Sequence, residues 1–139
     1  MFVKLAFYSN NMNKRIIIIA SVFGMLAVIL GAFGAHALKA LLKPSDLEVW
    51  KTAVDYQFYH TLALLFLSGF SRFKTRSINV ASWFFTFGII LFSGSLYLLS
   101  TKDIHHFSQV SLLGPVTPIG GLFFILGWIS LMLAAIKNK

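Results

Sequence analysis

The stretch Ile16–Leu38, IIIIASVFGMLAVILGAFGAHAL, carries no charge between Arg15 and Lys39. A helix needs about 20 apolar residues to cross a hydrocarbon core of about 30 Å, and this run is long enough. Three further runs follow. Tyr56–Ser71 lies between Asp55 and Arg72, Ser77–Thr101 between Arg76 and Lys102, and Ile119–Ile136 ends at Lys137. The second is short, but Lys51 and Asp55 can sit at the interface and extend it. In lipid a backbone must satisfy its own hydrogen bonds, so each run is expected to be helical. The strict alternation of a membrane β-barrel is absent. The expected fold is an all-α membrane protein: a four-helix transmembrane bundle spanning at about 16–38, 52–71, 77–100 and 118–136.

Composition agrees. Hydrophobic residues make up 58% of the 139 and charged residues 12%, against roughly 45–50% and 25% in an ordinary soluble domain. Mean hydropathy is +0.81. A soluble domain of this size could not hide so much apolar surface. The chain reads as one domain over 12–139, with residues 1–11 an appendage expected to be poorly ordered; Met1 and Met12 are both plausible starts. There is no Cys, which excludes disulfides and thiolate metal sites. The net charge of +8 comes from short clusters between apolar runs, a pattern of membrane topology rather than of nucleic-acid binding.

Those clusters set an orientation. Lys4, Lys14, Arg15, Arg72, Lys74, Arg76, Lys137 and Lys139 fall on one side. Lys39, Lys43, Lys51 and Lys102 fall on the other, with all four acids, Asp46, Glu48, Asp55 and Asp103. The basic side is expected to be cytoplasmic, which places both termini inside and the protein in the bacterial cytoplasmic (inner) membrane. A cleaved signal peptide ending at Ala35-His36-Ala37 fits less well, because its apolar core would be about 7–15 residues long. Ser45 with Glu48 fits a capping box for the second helix. Thr117 before Pro118 fits an N-cap for the fourth.

Lipid tails are as apolar as Leu, so small residues must let the helices approach. Gly24, Gly31 and Gly34 on helix one, Gly88 on helix three, and Gly120 and Gly127 on helix four are the expected packing positions. Spacings of seven (Ala81, Gly88, Ser95; Gly120, Gly127, Ala134; Ala53, His60, Leu67) favour near-antiparallel, left-handed packing. The polar residues gather toward the outer ends, leaving the inner halves almost purely apolar. His36, Tyr56, Gln57, His60, Ser93, Ser95, Tyr97 and Thr117 form a candidate outer-face pocket. The plainer alternative is a hydrogen-bond network that only fixes helix register. His36 and His60 are the better pair for a metal or haem, yet a straight hairpin sets them about 13 Å apart in depth. No catalytic or phosphate-binding motif appears, and no cofactor, metal or catalytic residue is assigned.

Four ordered segments carry a resemblance. They are Gly31–Leu38 (GAFGAHAL), Trp50–His60 (W-x-x-A-x-x-Y-Q-x-x-H), Phe92–Tyr97 (FSGSLY) and Thr117–Gly121 (TPIGG), with Gly127-Trp128 following. From about Met12 to Ile136 the chain resembles the domain-of-unknown-function 423 family, the YgdD-like small bacterial inner-membrane proteins related to eukaryotic transmembrane protein 256. The resemblance implies a multi-pass inner-membrane protein and no particular activity. The expected role is a non-enzymatic accessory or small-ligand or lipid-binding component. The alternatives are a small transporter or channel subunit and, behind it, a haem- or metal-binding membrane protein. The expected partners are the lipid bilayer and a second copy or another membrane protein, with no nucleic acid.

Overall fold

The computed structural model describes residues 2–69, 76–105 and 113–137, with side chains of the first helix described from Lys14 onward. Helix α1 runs Phe2–Ala35 and so takes in residues 2–11. It is followed by a 3-10 turn at Leu38–Ala40 and by α2, Pro44–Gly69. Helix α3, Arg76–Gly88, passes through a π-helical turn at Ile89–Ser93 into α4, Gly94–Ser100. A short α5, Lys102–His105, precedes α6, Val116–Lys137. Among the described residues there is no strand.

Two helix starts differ from the sequence reading. The first backbone bond of α2 runs from Leu47 N–H to Lys43 C=O, 3.0 Å. Lys43 is therefore the cap and Pro44 the first helical residue, where its fixed φ fits and its missing N–H costs nothing. Helix α6 begins at Val116, its first bond running from Ile119 N–H to Pro115 C=O. Thr117 is inside the first turn, and its hydroxyl is spent on another helix. Between α4 and α6, Lys102–His105 is helical; residues 106–112 lie outside the described residues.

Three helical stretches are long and apolar enough to cross a membrane: Lys14–Ala40, Arg76–Ser100 and Val116–Lys137, with hydropathies of 2.8, 1.6 and 2.3. The second expected span, on α2, is not among them. That helix carries Asp46, Glu48, Lys51 and Asp55 in its first turns and buries Gln57, His60 and Thr61 further along. It packs on α1 along one side and on α3, the π turn and α4 along the other; α6 packs on α3 and the π turn. The interior holds Ile16, Leu64, Leu67, Ile78, Phe85 and Phe124. The outside is apolar as well: Met25, Phe66, Ile125 and Met132 are all more than half exposed. A surface that sheds water this thoroughly suits hydrocarbon as its solvent.

The seven-residue stripes are interior. Ala53, His60 and Leu67, Ala81, Gly88 and Ser95, and Gly120, Gly127 and Ala134 are all buried. On α1 the buried line is Ala20, Ala27 and Gly34, with Gly24 and Gly31 half-buried beside it. The glycines do unequal work. A methyl group added at Gly34 would sit 2.6 Å from the Trp50 indole, and one at Gly127 would sit 2.5 Å from the Phe85 ring. At Gly88 it would collide with Phe124. At Gly120 it would meet the backbone nitrogen of Phe92, so α6 lies directly against the π turn. At Gly24 and Gly31 the nearest atoms are 3.5 Å away, ordinary contact. Overpacking costs roughly 1–3 kcal/mol, whereas Gly→Ala in a roomy helix position gains up to about 1 kcal/mol. Gly120→Ala is therefore expected to lower the unfolding temperature in detergent clearly, and Gly31→Ala to leave it unchanged or raised.

Candidate functional site

The polar side chains of α2 follow helical spacing onto its buried face. Gln57 is the most connected. Its amide nitrogen donates to the Phe23 carbonyl of α1 at 2.8 Å, and its amide oxygen accepts from the Tyr97 hydroxyl of α4 at 2.9 Å. One side chain thus ties three helices. Tyr97 packs at 4.6 Å between ring centres against Trp50, whose indole N–H donates to the Leu30 carbonyl at 2.9 Å.

His60 lies one turn further along α2. Its Nδ1 is 2.8 Å from the Tyr56 carbonyl, and the Trp128 indole N–H of α6 donates to its Nε2 at 3.3 Å. An indole can only donate, so Nε2 is the acceptor and the proton sits on Nδ1. The ring is neutral, with both nitrogens used. It stacks on Phe124 at 3.5 Å and 9°. This is the geometry of a fixed structural histidine rather than of a free base.

The Thr117 hydroxyl meets Ser95 Oγ at 2.6 Å. Ser95 donates to the Phe92 carbonyl, so Thr117 is the donor in that pair. The π turn, in which Gly94 N–H reaches back to Ile89 C=O, presents Phe92 toward α2 and α6. Ser93 in the same turn is fully buried, and its hydroxyl has no partner among the described residues.

The structure therefore brings together Gln57 with Tyr97, and Ser95 with Thr117, and packs Tyr56 against Phe92. His36 is exposed at the end of α1; its backbone N–H bonds the Ala32 carbonyl at 3.1 Å, and its imidazole makes no hydrogen bond or ring contact among the described residues. The inner part is less apolar than the sequence suggested. Thr61, Ser82 and Thr86 are buried there, each bonding back to a carbonyl three or four residues earlier, which makes a hydroxyl inexpensive inside a helix. Arg15 is also drawn inward, to Asn79 and Ser82 of α3. Among the described residues no three His, Asp or Glu side chains converge as a metal site would require.

Beside this seam, between α2 and α6, runs a groove of about 620 Å³. Tyr56, His60, Phe92, Phe124 and Trp128 give it aromatic walls, and Gly121 opens it. Tyr56 is 40% exposed, and its hydroxyl has no hydrogen-bond partner among the described residues. Sequence reading missed Phe92, Phe124 and Trp128 as site residues. The one available signal was Trp128, the only Trp on a helix that is apolar on every side. Nearer the start of α2, a second cavity of about 340 Å³ is lined by Phe33, Trp50, Tyr97, Ile104 and His105. Nearby, Lys43 and Asp103 form an exposed ion pair at 2.7 Å. The hydrogen bond and charge of Asp103 hold the Lys43 ammonium above its usual pKa.

These features define an all-helical membrane protein whose polar groups are tied between helices beside an aromatic groove. The chain belongs to the family described as "Protein of unknown function (DUF423)", whose profile matches residues 30–121. It is 44% identical over 127 residues to the UPF0382 membrane protein YwdK of Bacillus subtilis, covering 89% of this chain and 98% of that one. It is 43% identical over 124 residues to the UPF0382 membrane protein SERP0230 of Staphylococcus epidermidis, covering 89% and 97%. It is 44% identical over 124 residues to the UPF0382 membrane protein SAB0533 of Staphylococcus aureus, again covering 89% and 97%. No solved structure matches the chain.

Interhelical hydrogen bonds in membranes average about 0.6 kcal/mol and reach roughly 1.7. Tyr97→Phe removes one bond from Gln57, whereas Gln57→Leu leaves both the Phe23 carbonyl and the Tyr97 hydroxyl without it. Thermal unfolding in detergent is expected to show the larger loss for Gln57→Leu. The Lys43–Asp103 pair is solvent-exposed and contributes little. Its share persists through neutral pH and is lost as pH rises past 10.5 and through the raised lysine value, so Lys43→Gln is expected to shift the midpoint slightly at pH 7 and by less as the pH is raised above 10.5.

Proposed function

We propose that this chain is a non-enzymatic, four-span protein of the bacterial cytoplasmic membrane that holds a lipid-soluble molecule in the groove between α2 and α6. The fourth span is α2. Its 26 residues extend about 39 Å at 1.5 Å per residue. Gln57, His60 and Thr61 are turned inward, so lipid meets Phe58, Tyr59, Leu62 and Phe66 instead. The excess of Lys and Arg at the Arg15 and Arg76 end supports cytoplasmic termini.

The observation that carries the ligand reading is the contrast between the sealed seam and the open groove. Gln57, His60, Ser95 and Thr117 are hydrogen-bonded to neighbouring helices or to their own backbone. The groove beside them offers rings for stacking and the Tyr56 hydroxyl at one end. From Pro118 to Trp128 its α6 wall runs about 15 Å. Such a site suits an amphipathic molecule with an apolar or aromatic body and one polar group. Transport finds less support, because Phe85, Leu64 and Leu67 close the interior below His60.

Gly121 supplies the test. A methyl group there meets only the Phe92 ring, at 3.8 Å in ordinary contact, so Gly121→Leu adds its bulk to the groove from a position where a Cβ is accommodated. Native mass spectrometry of the wild type from mild detergent is expected to show a retained small molecule. Gly121→Leu is expected to lose it while keeping its unfolding temperature. No adduct on the wild type, or an equal adduct on both, would overturn the ligand reading.

A further inference from the structure

Arg15 is the cation the groove and the seam leave unexplained. Its Nη2 donates to Asn79 Oδ1 at 2.6 Å and to Ser82 Oγ at 3.2 Å, and its Cζ lies 4.6 Å from the centre of the Trp83 ring. Ser82 Oγ in turn donates to the Asn79 carbonyl at 2.8 Å, which anchors the receiving groups to the first turns of α3. The Arg15 Nε is enclosed and has no hydrogen-bond partner among the described residues. Every partner is neutral. Lys14 beside it and Arg76, one turn before Asn79, are exposed and add the same sign of charge. Of the four side-chain carboxylates, three lie in the first half of α2 and one in α5, where Asp103 is paired with Lys43; none is among the partners of Arg15.

A guanidinium drawn partly out of water without a counter-charge is costly, and this chain supplies no side-chain anion at that end. Trp83, 40% exposed, stands where interfacial aromatics mark the headgroup level. We infer that Arg15, flanked by Lys14 and Arg76, binds the phosphate of an anionic phospholipid headgroup at this end of the helices. With Nη2 held by Asn79 and Ser82 and Nε enclosed, Nη1 is the edge of the planar guanidinium fork left to donate to phosphate oxygens. Asn79, Ser82 and Trp83 hold the fork in place, so Arg15 arrives ordered. This inference rests on Arg15 and its neighbours and stands whether or not the α2–α6 groove holds a ligand.

The test uses the purified full chain in a zwitterionic detergent, supplied with phosphatidylglycerol, phosphatidylcholine or inorganic phosphate. Native mass spectrometry counts retained lipid, and thermal unfolding reads stabilisation. Each cation near an anionic headgroup contributes roughly fivefold in affinity. The wild type is expected to retain phosphatidylglycerol over phosphatidylcholine by more than that factor. Arg15→Gln is expected to lower the preference at least roughly fivefold, and Lys102→Gln, at the opposite end, to leave it unchanged. No preference in the wild type, or an undiminished one in Arg15→Gln, would overturn the site. Stabilisation by inorganic phosphate equal to that by phosphatidylglycerol would overturn the lipid as its source. Should Arg15→Gln fail to fold, Arg76→Gln carries the same comparison from an exposed position: a reduced preference supports the site and an undiminished one overturns it.

Discussion

A polar side chain enclosed among apolar helices finds partners only on its own helix or on a neighbour, and the buried face of α2 follows that constraint. Gln57 links it to α1 and α4, His60 links it to α6 through Trp128, and Thr61 turns back on its own backbone. The bonds of Gln57 and His60 to other helices join elements whose outer faces are apolar. The helix with the most polar groups therefore turns them to its enclosed face and leaves Phe58, Tyr59, Leu62 and Phe66 on its exposed one.

Close packing and polar bonding share the same atoms. Phe124 fills the notch at Gly88 and also stacks on His60. Trp50 fills the notch at Gly34 while donating to Leu30 and packing against Tyr97, which bonds Gln57. Gly120 lets α6 reach the π turn, where Phe92 lines the groove. A change in any of these glycines moves a ring, and a moved ring disturbs a buried hydrogen bond. The groove sits on this rigid frame, which favours binding over large internal motion.

Much of this was legible in the chain itself. Runs of apolar residues located the helices, and the seven-residue spacing located their buried faces because side-chain direction in a helix is periodic. Gln57, Tyr97, Ser95 and Thr117 could be named because polar groups are rare in such runs. Their pairing could not, since it depends on which helices touch. The Trp128 bond to His60 was hidden because α6 is apolar all round and shows no face. The π turn was hidden because Ile89–Ser93 reads as ordinary helix. His36 was grouped with the others by depth alone, and the structure leaves it apart. Arg15 read as a topological charge; its inward turn depends on Asn79 and Ser82, sixty-four and sixty-seven residues away.

The central claim is that α2 crosses the membrane with its polar side chains enclosed. The chain has no Cys, so single cysteines report cleanly on its two ends. Ser45→Cys at the start of α2 and Ser77→Cys at the start of α3 can each be treated in intact cells with a membrane-impermeant maleimide. The account predicts labelling of Ser45→Cys from outside, and of Ser77→Cys only after the membrane is opened. Labelling of both from the same side would contradict it.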